Sequence, residues 1–123
     1  MKKKTVILIV VLVISATIYG IVYFVAIPET AAFIVPDKWK NIVAGQKMES
    51  YYQYLGKPSA DSVSGEMKIN TWYARSNNYQ FYLNIHFKAD SVAAAYDMHY
   101  GFSNWLFGKT GIIKAGNAED DTQ

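Results

Sequence analysis

Apolar and polar positions follow two regimes along this chain. From Thr5 to Ile27 the apolar character is continuous, 23 residues without a charge. As a helix this run rises about 35 Å, enough to cross a hydrocarbon layer of about 30 Å with some tilt. In lipid each backbone group needs an internal partner, so helix is the only solution for a single span. A cleaved secretory signal has an apolar region of about 7 to 15 residues and a small-x-small site. Here the run is longer and ends in the bulky Tyr23, Phe24, Val25 and Ile27, so an uncleaved transmembrane anchor is expected. Lys2, Lys3 and Lys4 precede it, and the next basic residue is Lys38. The positive-inside bias places residues 1–4 in the cytoplasm and the following domain in the periplasm or cell exterior, on an inner cell membrane.

Beyond the anchor the apolar positions become periodic. Residues 28–36, bounded by Pro28 and Pro36, read as a connector. Asp37 is placed to cap a short helix through Ala44, with Trp39, Ile42 and Val43 on its apolar side. From Gln46 to Leu55, the positions Met48, Tyr51, Tyr52 and Leu55 make one helical face, stopped by Gly56 and Pro58. Lys57 to Gly65 reads as a loop. Three alternating stretches follow. Met67, Ile69, Thr71 and Tyr73 share one parity; Tyr79, Phe81, Leu83, Ile85 and Phe87 share another. Val92, Ala94, Tyr96, Met98, Tyr100 and Phe102 form the third, where Ala93 to Ala95 keep helix as an alternative and the alternation favours strand. The segments between them have hairpin lengths. The expected fold class is α+β: a transmembrane helix, then one or two short helices on a three-stranded antiparallel meander over residues 37–110. Residues 111–123 are expected to be a disordered polar tail. In this register Trp72 lies on the outer face, and a slip of one residue would bury it.

Gly45, Tyr51, the Leu55-Gly56-Lys57-Pro58 run, Trp72-Tyr73 and the Leu83-Asn84-Ile85-His86-Phe87 strand together carry a resemblance. The chain resembles the SmpA/OmlA-like group of small barrel-assembly lipoproteins and β-lactamase-inhibitor-like domains. The resemblance implies a small non-enzymatic envelope domain that acts through partner contacts. The chain has no cysteine to carry a lipid and has the apolar helix instead, so neither outer-membrane residence nor barrel assembly is carried over.

Composition changes the picture in two places. The net charge of +2 belongs to the lysines before the anchor; from Pro28 onward nine Lys/Arg face ten Asp/Glu, 9 − 10 = −1. That leaves no basic footprint for nucleic acid. The absence of cysteine removes thiolate metal sites and thiol catalysis.

Candidate chemistry is sparse. If Phe87 faces Val92, His86 opposes Ala93 and His99 opposes Gln80, putting the histidines about 20 Å apart along the strands. At that distance they share no metal ion. Phe107-Gly108-Lys109-Thr110-Gly111 ends like a phosphate loop, but Ser103 stands where that motif needs glycine, and Asn104 to Phe107 are bulky, so no nucleotide is expected. Asp61, Glu66, Asp90 and Asp97 read as solvated carboxylates. No serine sits in a nucleophile elbow. No catalytic residue, metal or cofactor is assigned, and the chain is not read as an enzyme.

The remaining feature is aromatic. Tyr100, Phe102, Trp105, Leu106 and Phe107 crowd a short segment, and with Trp72 they are the interaction candidates. They cap the core, form an exposed hot spot, or lie in the membrane interface. The function expected is a single-pass membrane-anchored interaction module, a small accessory subunit of an envelope membrane complex. Its partners would be the lipid bilayer and other membrane proteins. The alternative is a small-ligand sensor or carrier using a groove between helices and sheet.

Overall fold

The computed structural model describes Lys2 to Ala118. A single helix of 32 residues, Lys3–Ile34, is long and apolar enough to cross a membrane by length and composition. It is α-helical over Lys3–Ile21 (α1), makes a π-helical turn at Val22–Ala26, and continues α-helically over Ile27–Ile34 (α2). The segment expected to be a connector is therefore mostly helix. Pro28 is tolerated because it sits in the first turn of α2, where its fixed φ suits the helix. None of α1 is buried, whereas Ile27, Ala31 and Val35 are, at i, i+4 and i+8 on one stripe. The exposed helix thus runs directly into the core of the domain.

Two short helices follow, Asp37–Lys40 (α3) and Met48–Leu55 (α4). α3 is one turn, shorter than the reading through Ala44, yet Ile42 and Ala44 still reach the core from the segment after it. That segment is held by the sheet: Gly45 N–H donates to Ala93, Ala93 N–H to Gln46, and Met48 N–H to Ser91. α4 ends at Gly56 with φ 85°, as the sequence implied.

The sheet has five antiparallel strands in sequence order, not three. They are Ala60–Ser64 (β1), Met67–Ser76 (β2), Tyr79–Phe87 (β3), Ala93–Ser103 (β4) and Gly108–Asn117 (β5). β1 lies in the expected loop and β5 overlaps the expected tail; of the remainder Ala118 is described, and 119–123 lies outside the described residues. β1 escaped the periodicity argument because all five of its residues are exposed. The turns Gly65-Glu66 and Asn77-Asn78 are two-residue hairpin connections, with φ of 62° at Gly65 and 55° at Asn77. The 92–102 stretch is strand.

The inner face of the sheet carries Tyr79, Phe81, Leu83, Ile85 and Phe87 of β3 with Tyr96, Met98 and Tyr100 of β4, all buried under α2, α3 and α4. β2 shows the slip: Trp72 pairs with Leu83 and Asn70 with Ile85, so Trp72 and Asn70 point inward. Cross-strand partners share a face, and the strong alternation of β3 imposed its register on the weaker β2. Trp72 Nε1 donates to the Gly56 carbonyl at 3.1 Å, satisfying its polar atom at the end of α4.

β5 hides its core role by using glycine. A Cβ on Gly111 would come 2.7 Å from the Tyr100 ring, and one on Gly116 would come 2.7 Å from the Tyr96 ring. The aromatic surface of β4 thus covers small positions on β5. Gly111→Val should destabilise the chain by about 1–3 kcal/mol through overpacking. Gly108→Ala, where nothing lies within 4 Å, should leave stability within about 0.5 kcal/mol of the original. Urea midpoints of the detergent-solubilised chain measure both.

Candidate functional site

The helix meets the sheet at its π turn, and the reason lies in one missing proton. Ile27 N–H bonds back five residues to the Val22 carbonyl. The next residue, Pro28, has no N–H, which leaves the Tyr23 carbonyl without its helical donor. Lys109, at the start of β5, supplies one: its Nζ donates to the Tyr23 carbonyl at 2.8 Å. The same ammonium lies 4.2 Å from the Tyr23 ring centroid and 5.0 Å from that of Phe24. From the start of β3, the buried Tyr79 hydroxyl donates to the Ile27 carbonyl at 3.0 Å. Burial pushes the Tyr79 pKa above the usual phenol range, against a hydrogen bond with Thr30 that lowers it, so the hydroxyl keeps its proton. Two strands therefore grip the helix within two of its turns.

Around this grip the interaction candidates separate. Trp72 and Tyr100 are core residues, each 4% exposed. Phe102 is half-buried against Tyr79, with ring centroids 4.7 Å apart. Phe107 is half-buried and stacks on Tyr19 of α1 at 4.5 Å. Trp105 and Leu106 remain at the surface, 91% and 49% exposed. The aromatic segment is therefore part core and part exposed turn.

The outer face of the sheet carries the polar cluster. Here the structure corrects the expected register. Phe87 pairs with Ala93, and a bulge between His86 and Phe87 then sets His86 opposite Ala95 and His99 opposite Tyr82. The histidines are four positions apart in register, with Asp97 between them. His86 Nε2 meets Asp97 Oδ2 at 2.9 Å, and His99 Nε2 makes a close hydrogen bond to Oδ1. Asn84 Nδ2 also donates to Oδ1, at 2.9 Å, and Thr71 Oγ1 donates to Asn84 Oδ1 at 2.6 Å. Asp97 is thus a shared acceptor and not the solvated carboxylate expected. Partial burial opposes its ionisation, but hydrogen bonds from Asn84, His86 and His99, with the charge of His99, outweigh that and lower its pKa. These groups satisfy one another. Among the described residues, no group of three or more His, Cys, Asp or Glu is arranged to hold a metal ion.

Beside this cluster, Tyr73 and Tyr82 pack their rings 5.3 Å apart and stay 43% and 37% exposed, with Ile112 65% exposed. Tyr82, His99 and Ile112 border an open depression of about 470 Å³ that includes Gly101. Against the helices, the hollow between Ile42, Val43, Tyr51 and Tyr54 is about 190 Å³, below the roughly 300–1,000 Å³ of ordinary ligand sites. Comparison with family models, curated proteins and solved structures gives no match.

Sequence reasoning missed Lys109 and Asp97. The signal for Lys109 was Pro28 inside an apolar helix, which obliges some carbonyl to find another donor. Asp97 depended on a strand register set by a bulge.

Both contacts have measurable consequences. Lys109→Ala should lower the melting temperature of the detergent-solubilised chain. Its cost should shrink in a Pro28→Ala background, where a restored N–H reduces the need for the lysine. For Asp97, the folded pKa is depressed, so its stabilisation is present above the unfolded value of about 3.9 and is lost as pH falls through the folded value. Asp97→Asn should lower the denaturation midpoint at neutral pH and reduce its further fall as the pH drops through the carboxylate range.

Proposed function

We propose that this chain is a single-pass membrane-anchored interaction module, a small accessory subunit of an envelope membrane complex. The observation that carries the reading is the unbroken passage of the apolar helix into the domain core. Ile27, Ala31 and Val35 are at most 3% exposed, so the sheet is held rigidly on the anchor. A rigid mount reduces the orientational freedom lost when a membrane neighbour binds, and confinement raises the effective concentration. The outer sheet face, with Tyr73, Tyr82 and Ile112, is then the surface offered to a protein partner, since tyrosine-rich patches supply contact area at little entropic cost. The lysines before the helix favour a cytoplasmic N-terminus and a domain outside an inner membrane. The resemblance to the SmpA/OmlA-like group supports the same kind of role.

The polar cluster fits this role better than catalysis. Both histidines spend Nε2 on Asp97, and the Thr71 hydroxyl donates to Asn84, so each group already has a structural task.

A photocrosslinking residue at Tyr82 or Ile112, activated in intact cell membranes, should yield a discrete adduct with a membrane protein. A Tyr73→Asp change should weaken it. Recovery of the uncrosslinked chain alone from both positions would reject the module reading.

A further inference from the structure

We infer that the turn between β4 and β5 is a second membrane contact, in which Trp105, Leu106 and Phe107 enter the lipid interface beside the helix. The inference rests on the anchor reading above and adds a surface with one occupant, the bilayer.

Depth comes from contacts with the helix. Twenty residues from Thr5 cover about 30 Å of hydrocarbon and reach Phe24. Phe107 stacks on Tyr19, within that stretch, with ring centroids 4.5 Å apart. Lys109 reaches Tyr23 and Phe24, at its boundary. The turn therefore lies alongside the outer end of the apolar run and not above it. A lysine at the boundary with aromatic rings on either side of it matches the snorkelling cation and aromatic belt of membrane interfaces.

Composition and backbone agree with that position. Between Asp97 and Lys109 the sequence has no Asp, Glu, Lys or Arg. Trp105 is 91% exposed, an arrangement that water penalises and an interface favours. An interfacial turn must also satisfy its own amides. Asn104 does this for three of them: its Oδ1 accepts from the N–H groups of Leu106 and Phe107, while its own N–H donates to the Phe107 carbonyl at 2.8 Å. The Ser103 N–H donates to Asn78 at 3.2 Å. With helix and turn both held by lipid, the tilt of the sheet over the membrane is fixed.

The chain has no cysteine, so single nitroxide labels are simple to place. Full-length Trp105→Cys, Leu106→Cys, Leu12→Cys and Val63→Cys, labelled and reconstituted in phosphatidylcholine–phosphatidylglycerol vesicles, report accessibility to oxygen and to a water-soluble nickel chelate. Trp105 and Val63 are 91% and 75% exposed, so neither label disturbs the core. The expected result is oxygen-dominated relaxation at positions 12, 105 and 106, and several-fold greater nickel accessibility at 63. Nickel-dominated relaxation at 105 and 106, with 12 in lipid, would overturn the second contact and leave the anchor standing. Nickel access at 12 would overturn the anchor, and the turn's membrane contact with it.

Discussion

The carbonyls of Tyr23 and Ile27, held by Lys109 and Tyr79, join the two halves of this molecule. An unpaired buried carbonyl costs about 1–3 kcal/mol, and Pro28 creates the need for a donor at Tyr23. Because that donor is on β5 and the second is on β3, satisfying the helix fixes its position on the sheet. Ala31, fully buried, lets the helix backbone approach closely. The core that results belongs to the long helix and the domain together.

That shared core couples the apolar helix to the domain. A flexible linker would leave the relative orientation of the two free. A helix that continues into α2 ties the direction of the sheet to the direction of the apolar helix. The domain's small size makes this coupling necessary as well as useful, since α2 helps α3 and α4 cover the inner aromatic face of β3 and β4. Tyr96 and Tyr100 complete the cover by spreading over Gly116 and Gly111.

The outer face has a different logic. Its Thr71, Asn84, Asp97, His86 and His99 form one hydrogen-bonded row that spans β2, β3 and β4, with the exposed Tyr73 and Tyr82 beside it. A bulge at His86 and Phe87 builds this row by shifting the strand pairing. The polar row ties three strands together, and Tyr73, Tyr82 and Ile112 stay exposed beside it.

The sequence by itself determined the apolar helix, the Gly56 stop, the β3 strand and the outward parity of both histidines. Each is a local property: a run without charge, a residue that tolerates positive φ, an alternation of period two. Tertiary structure decided the rest. Trp72 turned inward because Leu83 set its register. β1 was invisible because an exposed edge strand has no buried face to mark it, and β5 because its inward positions are glycines roofed by another strand's tyrosines. Pro28 looked like the end of a helix, yet lies within one, where a lysine 81 positions later, 109 − 28, supplies a donor to the carbonyl its ring leaves unpaired. Such partners are brought together by the fold, and neither periodicity nor spacing along the chain records them.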